Sequence, residues 1–387
     1  MQTRLIRSEE ELLPLKDSWN ALIKNRPEND VPFFSWDWFY HSWRHFGEPE
    51  GREPAVVVAE DGDRLLGVLP LVRGKRKSSG ISYRTLEFCN IGMMPRNTAY
   101  VAPDAEPDAV FSALRDRLFL ERKYWDILEL ANVLDTTPFH RFWLDPDSRK
   151  PSCSLIQTQG FLSTFIRLQE GATLDDYLAT LGSSTRKDVR KHLRNFDNRG
   201  ESGRVRFFES PEEIGEGLEL LFEVHRNSWK GEYVNRHYPA FYRDVTPVLA
   251  ERGEVSIAVA FLDGTPISAG YVLFNPTTCF TCINDYDTRY RDVAPGMVLF
   301  LRELEHVFRS GRTHYDFCGT IYEYKERLAG NKTNHSTFQI FHGGWKSRFL
   351  FSMKTKWLPL LRKILRKPQP NDLISIVNGY YRSVQKN

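Results

Sequence analysis

The sequence has few cysteines and no long apolar segment. Its five cysteines are scattered over 387 residues, and such an odd, sparse set favours a reducing compartment over a disulfide-stabilised secreted protein. No run of apolar residues is long enough to cross a bilayer. The first residues carry acidic side chains where the apolar core of a signal peptide would stand. We therefore expect a cytoplasmic protein.

A large excess of charge is also missing. The formal net charge is +3, so the composition as a whole does not indicate a nucleic-acid-binding surface, and we expect no DNA partner. Cys279 and Cys282 form one C-x-x-C pair, but they lie inside a predicted strand without a second pair. We interpret them as two buried thiols and expect no metal site.

The patterns that are present predict an α/β fold with mixed sheets, in two domains. A Pro- and Asp-rich stretch at 145–151 suggests the boundary, with an N-terminal domain at 1–150 and a C-terminal domain at 151–345. Each contains a strand, an Asp-Gly turn and a strand, VVVAEDGDRLLGVLPLV and IAVAFLDGTPISAGYVLF, after a helix that carries His and Trp. This repeat indicates two similar domains or chance convergence on a common hairpin.

One segment of the second half has a clear order of elements. Residues 277–287 are β-branched and aromatic and predict a strand. Pro295 and Gly296 open a helix of regular apolar spacing, Gly311 follows its end, and a second strand is predicted at 314–318. A strand, a crossover helix and a strand in this order make the two strands parallel.

The start of that helix is a candidate anion site. The N–H groups of a first helical turn are unpaired and lie at the positive end of the helix dipole. A pyrophosphate would suit this place, and an ordinary capped helix without a ligand is the alternative. The residues that would form the site are Arg289, Arg291, Ala294, Pro295, Gly296 and Met297.

The order of motifs in the second half resembles the Fem/CelD-like branch of the GNAT acyltransferases, with a BioF-like acetyltransferase domain. The matching motifs are Asp285-Tyr286-Asp287, Pro295-Gly296, Asp316-Phe317 with Gly319, and Tyr324-Lys325. The resemblance covers roughly 155–341 and extends more loosely to the first half. It implies tandem GNAT-like domains and transfer of an acyl group to an amine.

The resemblance leaves the acyl donor open. Most GNAT proteins use acyl-CoA, whereas Fem enzymes use aminoacyl-tRNA and carry a long coiled-coil insertion in the second domain. The Arg/Gln-x-x-Gly-x-Gly/Ala turn of ordinary GNAT enzymes is absent here, and Pro295-Gly296 stands in its place. No coiled-coil insertion is visible between Arg204 and Asp316, which favours acetyl-CoA or a longer acyl-CoA over tRNA.

Several polar residues are candidates for the chemistry. By strand alternation Asp285 and Asp287 share a face, so either could deprotonate or hold the amine, or both could cap the strand end. Lys325 could stabilise an oxyanion or hold a phosphate, or be solvated. Tyr322 is a candidate proton donor to the thiolate. Asp316 could contact the substrate or bond to a nearby turn.

Two helices carry candidates for acceptor binding. Arg186 and Arg190 share a face of a basic helix at 184–198 and could bind an acidic acceptor or be solvated. His225 and Trp229 are spaced to share a helix face and could line the acceptor pocket or pack in the core. We expect the acceptor to be the amino group of a sugar, a lipid-linked saccharide or a peptide precursor, in cell-envelope or exopolysaccharide synthesis. A non-catalytic scaffold for polysaccharide assembly is the alternative from another class.

The last segment, 346–387, predicts a basic amphipathic tail. Between Lys346 and Lys367 it carries eight basic residues and no acidic one, interleaved with aromatic and aliphatic side chains. Such a segment lies in the headgroup plane of an anionic membrane. That location at the inner face of the membrane would suit a lipid-linked acceptor; packing of the tail against the second domain is the alternative.

Overall fold

The computed structural model describes residues 1–24, 31–78, 80–89, 96–148, 150, 152–231, 238–319, 323–358 and 360. The strands within these residues are β1 Gln2–Ile6, β2 Glu53–Pro54, β3 Val56–Asp61, β4 Arg64–Leu69, β5 Leu71–Ser78, β6 Ile81–Phe88, β7 Tyr100–Val101, β8 Ile127–Leu134, β9 Ser154–Arg167, β10 Gly203–Phe208, β11 Val255–Leu262, β12 Thr265–Phe274, β13 Thr278–Tyr286, β14 His314–Asp316 and β15 Asn331–Phe341. The α-helices are α1 Glu9–Leu12, α2 Lys16–Lys24, α3 Trp36–Ser42, α4 Pro107–Leu120, α5 Pro138–Leu144, α6 Leu174–Thr180, α7 Ser183–Asp197, α8 Ile214–Asn227, α9 Tyr238–Glu251, α10 Pro295–Arg309, α11 Glu323–Leu328 and α12 Trp345–Ser352.

The strands form two sheets. The smaller has the order β1-β3-β4-β7, and the larger has the order β10-β11-β12-β13-β14-β9-β15-β8-β6-β5-β2. In the larger sheet β13 pairs with β14 and β6 pairs with β8 in parallel, while the other neighbours are antiparallel. The predicted α/β class with mixed sheets is therefore confirmed.

Both halves of the chain contribute to one core. Trp38 of α3 packs edge-on against Phe241 of α9 at 5.1 Å between ring centroids, and Phe33 packs against Phe280 of β13 at 5.4 Å. The long strand β9 begins just after the predicted boundary and joins the two halves of the larger sheet. The domain limits at 150 and 345 stay a prediction.

Helices cover both faces of the second half of the larger sheet. On one face α8 and α9 pack against odd-numbered side chains of β11 such as Ile257 and Val259, and on the other α7 and α10 pack against Ala258 and Ala260. This division follows from the alternation of side chains along a strand. Whether a residue has an odd or an even number in β11 therefore decides which helical layer its side chain contacts.

The predicted unit of strand, helix and parallel strand is confirmed as β13, α10 and β14. β14 ends earlier than predicted, at Asp316, because the chain turns through Cys318 and Gly319, which have φ values of 43° and 62°. Its pairing with β13 therefore stops at Phe280. Residues 281–286 of β13 extend past it, and no strand of the described part of the chain pairs with that edge.

Candidate functional site

A buried carboxylate near the end of β13 lies between a histidine and a lysine. Asp285 is 2% exposed, and its two oxygens bind His225 Nδ1 and Lys230 Nζ. Burial by itself raises the pKa of Asp285, but the hydrogen bond from His225 and the charge of Lys230 outweigh it and hold the pKa below its usual value. Asp285 is therefore an ionised, fully engaged carboxylate rather than a free base.

The orientation of His225 follows from this bond. An ionised carboxylate only accepts hydrogen bonds, so Nδ1 of His225 is the donor in this bond, and in the neutral form of the ring Nε2 is the acceptor nitrogen. The side chain is 21% exposed, and Nε2 makes no hydrogen bond to another described residue. A neutral imidazole held in this tautomer by a carboxylate is a competent proton acceptor.

His225 and Trp229 do not share a helix face, contrary to the sequence-based expectation. α8 ends at Asn227, so Trp229 does not continue the helix face of His225, and its side chain is 57% exposed. The residue that completes the cluster is Lys230, which the sequence analysis did not single out. Nothing in the sequence around Lys230, a basic residue just beyond a helix end, indicates that it binds a carboxylate of a distant strand.

Asp287 does not share the partners of Asp285. It caps the 3₁₀ segment Thr288–Val293 by accepting from the Arg289 amide at 2.9 Å, and it also binds the Arg289 guanidinium. These hydrogen bonds lower the pKa of Asp287. The geometry corresponds to the strand-end cap, and it engages Arg289 away from the start of α10.

The start of α10 has no side-chain cap. Its N-cap residue, Ala294, adopts a left-handed conformation with φ 50°, and no side chain accepts from the first turn. A Cβ built at Gly296 would lie 3.4 Å from Asn284 Oδ1 and from Tyr286 Cδ1. These two side chains therefore lie next to the backbone of Gly296 without clashing with such a Cβ. Arg291 is exposed, and its side chain forms no hydrogen bond or ion pair with another described residue. Pro295 has no N–H, and the Met297 amide donates to the Ala294 carbonyl at 3.0 Å, so the Gly296 amide is the first-turn donor that no described residue engages.

Met297 lines a small cavity between α7, α10 and α11. The cavity has a volume of about 130 Å³, and its lining is Thr185, Asp188, Val189, His192, Met297, Tyr324, Arg327 and Leu328. The arginines predicted for acceptor binding lie elsewhere on α7. Arg190 pairs with Asp175 at 2.9 Å, and Arg186 donates to the Ala179 carbonyl at 3.4 Å, so both contact α6. A larger cavity of about 280 Å³ lies farther along α10, around Arg302 and His306.

Lys325 and Asp316 both support the turn after β14. Lys325 Nζ donates to the carbonyls of Phe317 at 3.0 Å and Cys318 at 2.9 Å. Burial lowers the pKa of Lys325 to about 8, and the charge of Lys230 contributes to the decrease. Asp316 accepts from the Cys318 amide at 2.9 Å and forms an ion pair with Arg96 from the first half of the chain.

Tyr322, the predicted proton donor, lies outside the described residues. Arg96 was not predicted to be near the site, because only tertiary contact brings it to Asp316.

The two parts of the site lie on opposite faces of the sheet, at the unpaired edge of β13. Asp285 contacts the α8 layer, whereas Asn284 and Tyr286 lie beside Gly296 in the α10 layer. Because β14 ends at Asp316, no strand of the described residues pairs with β13 beside Asn284, Asp285 and Tyr286.

Comparison with known proteins finds a family match in the second half of the chain. Residues 183–326, which include every element named above from α7 to the start of α11, match the family model described as an acetyltransferase (GNAT) domain. No curated protein matches the sequence.

Several solved structures have a similar fold. The crystal structure of FemX has a TM-score of 0.61 and 11% identity, over 91% of this chain and 99% of that one. The C-terminal domain of a putative lysylphosphatidylglycerol synthetase from Agrobacterium fabrum has a TM-score of 0.56 and 9% identity, over 89% and 96%. A conserved protein of unknown function from Bacteroides thetaiotaomicron has a TM-score of 0.52 and 12% identity, over 87% and 100%. At these identities the similarity is one of fold.

Proposed function

We propose that the protein is an acyltransferase that transfers an acyl group from acyl-CoA to an amino group, with His225 as the base, because residues 183–326 match the model of an acetyltransferase (GNAT) domain. The match confirms the resemblance seen in the sequence. The observation that carries the proposal is the pair of His225 and buried Asp285 at the open edge of β13, across the sheet from the uncapped start of α10.

The proposed reaction assigns a separate task to each group. The pyrophosphate of the donor binds at the start of α10, at the Gly296 amide, and the thioester extends toward the unpaired edge of β13. His225 Nε2 takes a proton from the attacking amine as the C–N bond forms and the C–S bond breaks. The proton then passes to the CoA thiolate. Asp285 holds the imidazole and stabilises its charged form.

Lys325, Asp316 and Arg96 have a positioning role in this proposal. They hold the turn that ends β14 and so keep the sheet open beside β13. The ammonium group of Lys325 also lies close enough to that of Lys230 for the charge of Lys230 to lower the pKa of Lys325. Arg291 is the free guanidinium best placed to add charge at the donor phosphates.

An aminoacyl-tRNA donor is the second candidate. The similarity of fold to FemX and to the domain of a putative lysylphosphatidylglycerol synthetase supports this alternative. Against it, the longest helices in the described part of the chain have 15 residues, so no coiled-coil insertion is visible there. For the acceptor, we propose an amino sugar, a lipid-linked saccharide or a peptide precursor; a non-catalytic scaffold is the remaining alternative.

Replacing Gly296 with aspartate is expected to abolish donor binding. In the wild-type protein acetyl-CoA should raise the melting temperature, because a ligand that binds only the folded state stabilises it. An aspartate would bring a negative charge to the place proposed for the phosphates. Gly296→Ala is the matched control, since its methyl group meets Asn284 and Tyr286 only at ordinary contact distance. A full shift in Gly296→Asp, measured by thermal denaturation, would place the phosphates elsewhere.

We further propose that α12 contacts an anionic membrane surface. One side of α12 packs on the protein, where Leu350 is buried and Lys346 pairs with Asp126 at 3.1 Å. The side chains left exposed by this segment are Trp345, Arg348, Phe349, Thr355, Lys356, Trp357 and Leu360. Aromatic and basic side chains on one surface suit the headgroup region. In the described part of the chain no helix has the length and apolar character needed to span a bilayer.

Removing the exposed aromatic side chains of this segment should release the protein from vesicles. The wild-type chain is expected to co-sediment with vesicles that contain anionic lipid, and less so at high salt. Trp345→Ser, Phe349→Ser and Trp357→Ser in combination should leave it in the supernatant. Leu120→Ser is the control, because Leu120 is 76% exposed on α4, far along the chain from α12. Sedimentation of the triple variant at the wild-type level would exclude this surface.

A further inference from the structure

Two histidines and a carboxylate come together between the two halves of the chain, away from the proposed active site. His45 Nε2 lies 2.6 Å from Asp244 Oδ2, and His41 Nδ1 lies 3.9 Å from the same oxygen. Each of the three residues offers one possible ligand atom, and these three atoms lie within 4.8 Å of one another. The two histidine side chains are about 20% exposed and Asp244 is 51% exposed, so the cluster borders solvent.

The local structure explains why these side chains converge. α3 passes into a π-helical turn, Trp43–Gly47, so His41 and His45 project from the same side over slightly more than one turn. Their rings stack with centroids 6.4 Å apart. Asp244 belongs to α9, which is held against α3 by the contact of Trp38 with Phe241.

The chemistry of the three groups matches a transition-metal ion. Zinc is bound by imidazole nitrogen and carboxylate oxygen at about 2.0–2.2 Å, which places neighbouring ligand atoms about 3.3 Å apart in a tetrahedral site. The observed separations lie on either side of that value. Two imidazoles make calcium or magnesium a poor fit, because those ions prefer oxygen ligands.

A simple ion pair does not account for the whole cluster. His306 and Glu209 form such a pair elsewhere on the surface, at 2.8 Å, with one histidine and one carboxylate. Around Asp244, by contrast, both His41 and His45 face the same carboxylate oxygen. The second histidine provides a third ligand, which an ion pair does not need and a metal ion does.

We propose that His41, His45 and Asp244 bind a zinc ion, with solvent in the remaining position, and that the ion joins α3 to α9. This departs from the expectation of no metal site, which rested on the cysteines alone. A metal held by residues on both sides of the predicted domain boundary acts as a cross-link between the two halves. Because the ion binds the folded arrangement, it also stabilises it.

Zinc binding by the full chain tests the proposal. The protein is treated with a chelator, exchanged into metal-free buffer and titrated with Zn²⁺ in a calorimeter, and its melting temperature is measured with and without Zn²⁺. We expect one ion per chain and a higher melting temperature. His41→Ala and Asp244→Asn should each weaken binding at least about tenfold and remove the thermal shift. His306→Ala is the matched control and should bind as the wild type does.

Two outcomes would overturn the proposal. One is the absence of binding in the wild type. The other is wild-type affinity and thermal shift in both His41→Ala and Asp244→Asn, which would place the ion at another histidine or at the cysteines. Asp244→Asn is nearly isosteric and partly exposed, so it keeps the test valid if His41→Ala does not fold. Visible absorption of bound Co²⁺ that is lost in both variants gives an independent sign of direct coordination.

Discussion

Replacing His225 with glutamine should lower turnover by about 10²–10⁴-fold, the usual contribution of a positioned general base. Glutamine keeps a hydrogen-bonding group near Asp285 but cannot accept a proton from the amine. The affinity for acetyl-CoA should remain unchanged, because the proposed phosphate site at α10 lies on the other face of the sheet. Release of CoA from acetyl-CoA, with a panel of amino sugars and lysyl peptides as acceptors, measures turnover.

The control for His225 is His306→Gln. His306 also binds a carboxylate, that of Glu209, but it lies well along α10 from the open edge of β13. Wild-type turnover in the control together with a large loss in His225→Gln would support the base. A loss below tenfold in His225→Gln would show that another group takes the proton.

Replacing Asp285 with asparagine should have the largest effect on stability. The change leaves the imidazole of His225 and the ammonium of Lys230 facing each other without the carboxylate between them. Removing one partner of a buried ion pair costs about 3–5 kcal/mol. We expect about 3 kcal/mol, since Lys230 is 38% exposed and can reach solvent. Urea denaturation of both proteins gives the difference.

The difference should depend on pH with a defined sign. The pKa of Asp285 is lowered in the folded protein, so its stabilising contribution is present above the pKa of an unfolded aspartate and is lost as the pH falls through the folded value. The curves for wild type and Asp285→Asn should therefore converge in acid, below the ordinary aspartate pKa of about 3.9.

Asp287→Asn provides the control for Asp285. Asp287 is buried as well, but its partner Arg289 is 66% exposed and can return to solvent, so its removal should cost less than that of Asp285. If Asp287→Asn were as destabilising as Asp285→Asn, the cluster of His225, Asp285 and Lys230 would have no special role. Equal stability of Asp285→Asn and the wild type at neutral pH would contradict the ion pairs themselves.

Local sequence patterns were sufficient to predict the elements around the site. β13, α10 and β14 were predicted in the correct order, because strands and helices impose periods of two and 3.6 residues on their apolar side chains. Pro295 and Gly296 marked the start of α10, since proline fits the first helical position. The same local motifs led to the GNAT resemblance, which the family model confirms.

The tertiary structure alone decided which charged groups meet. Asp285 and Asp287 look alike in sequence, yet one binds His225 and Lys230 while the other binds Arg289 two residues away. The pairing of His225 with Asp285 spans 60 residues, and that of His45 with Asp244 spans 199. Such partners depend on how helices pack on a sheet. The periodicity of side chains within one element shows which of its faces is buried, but it does not show which residue of the neighbouring layer will contact that face.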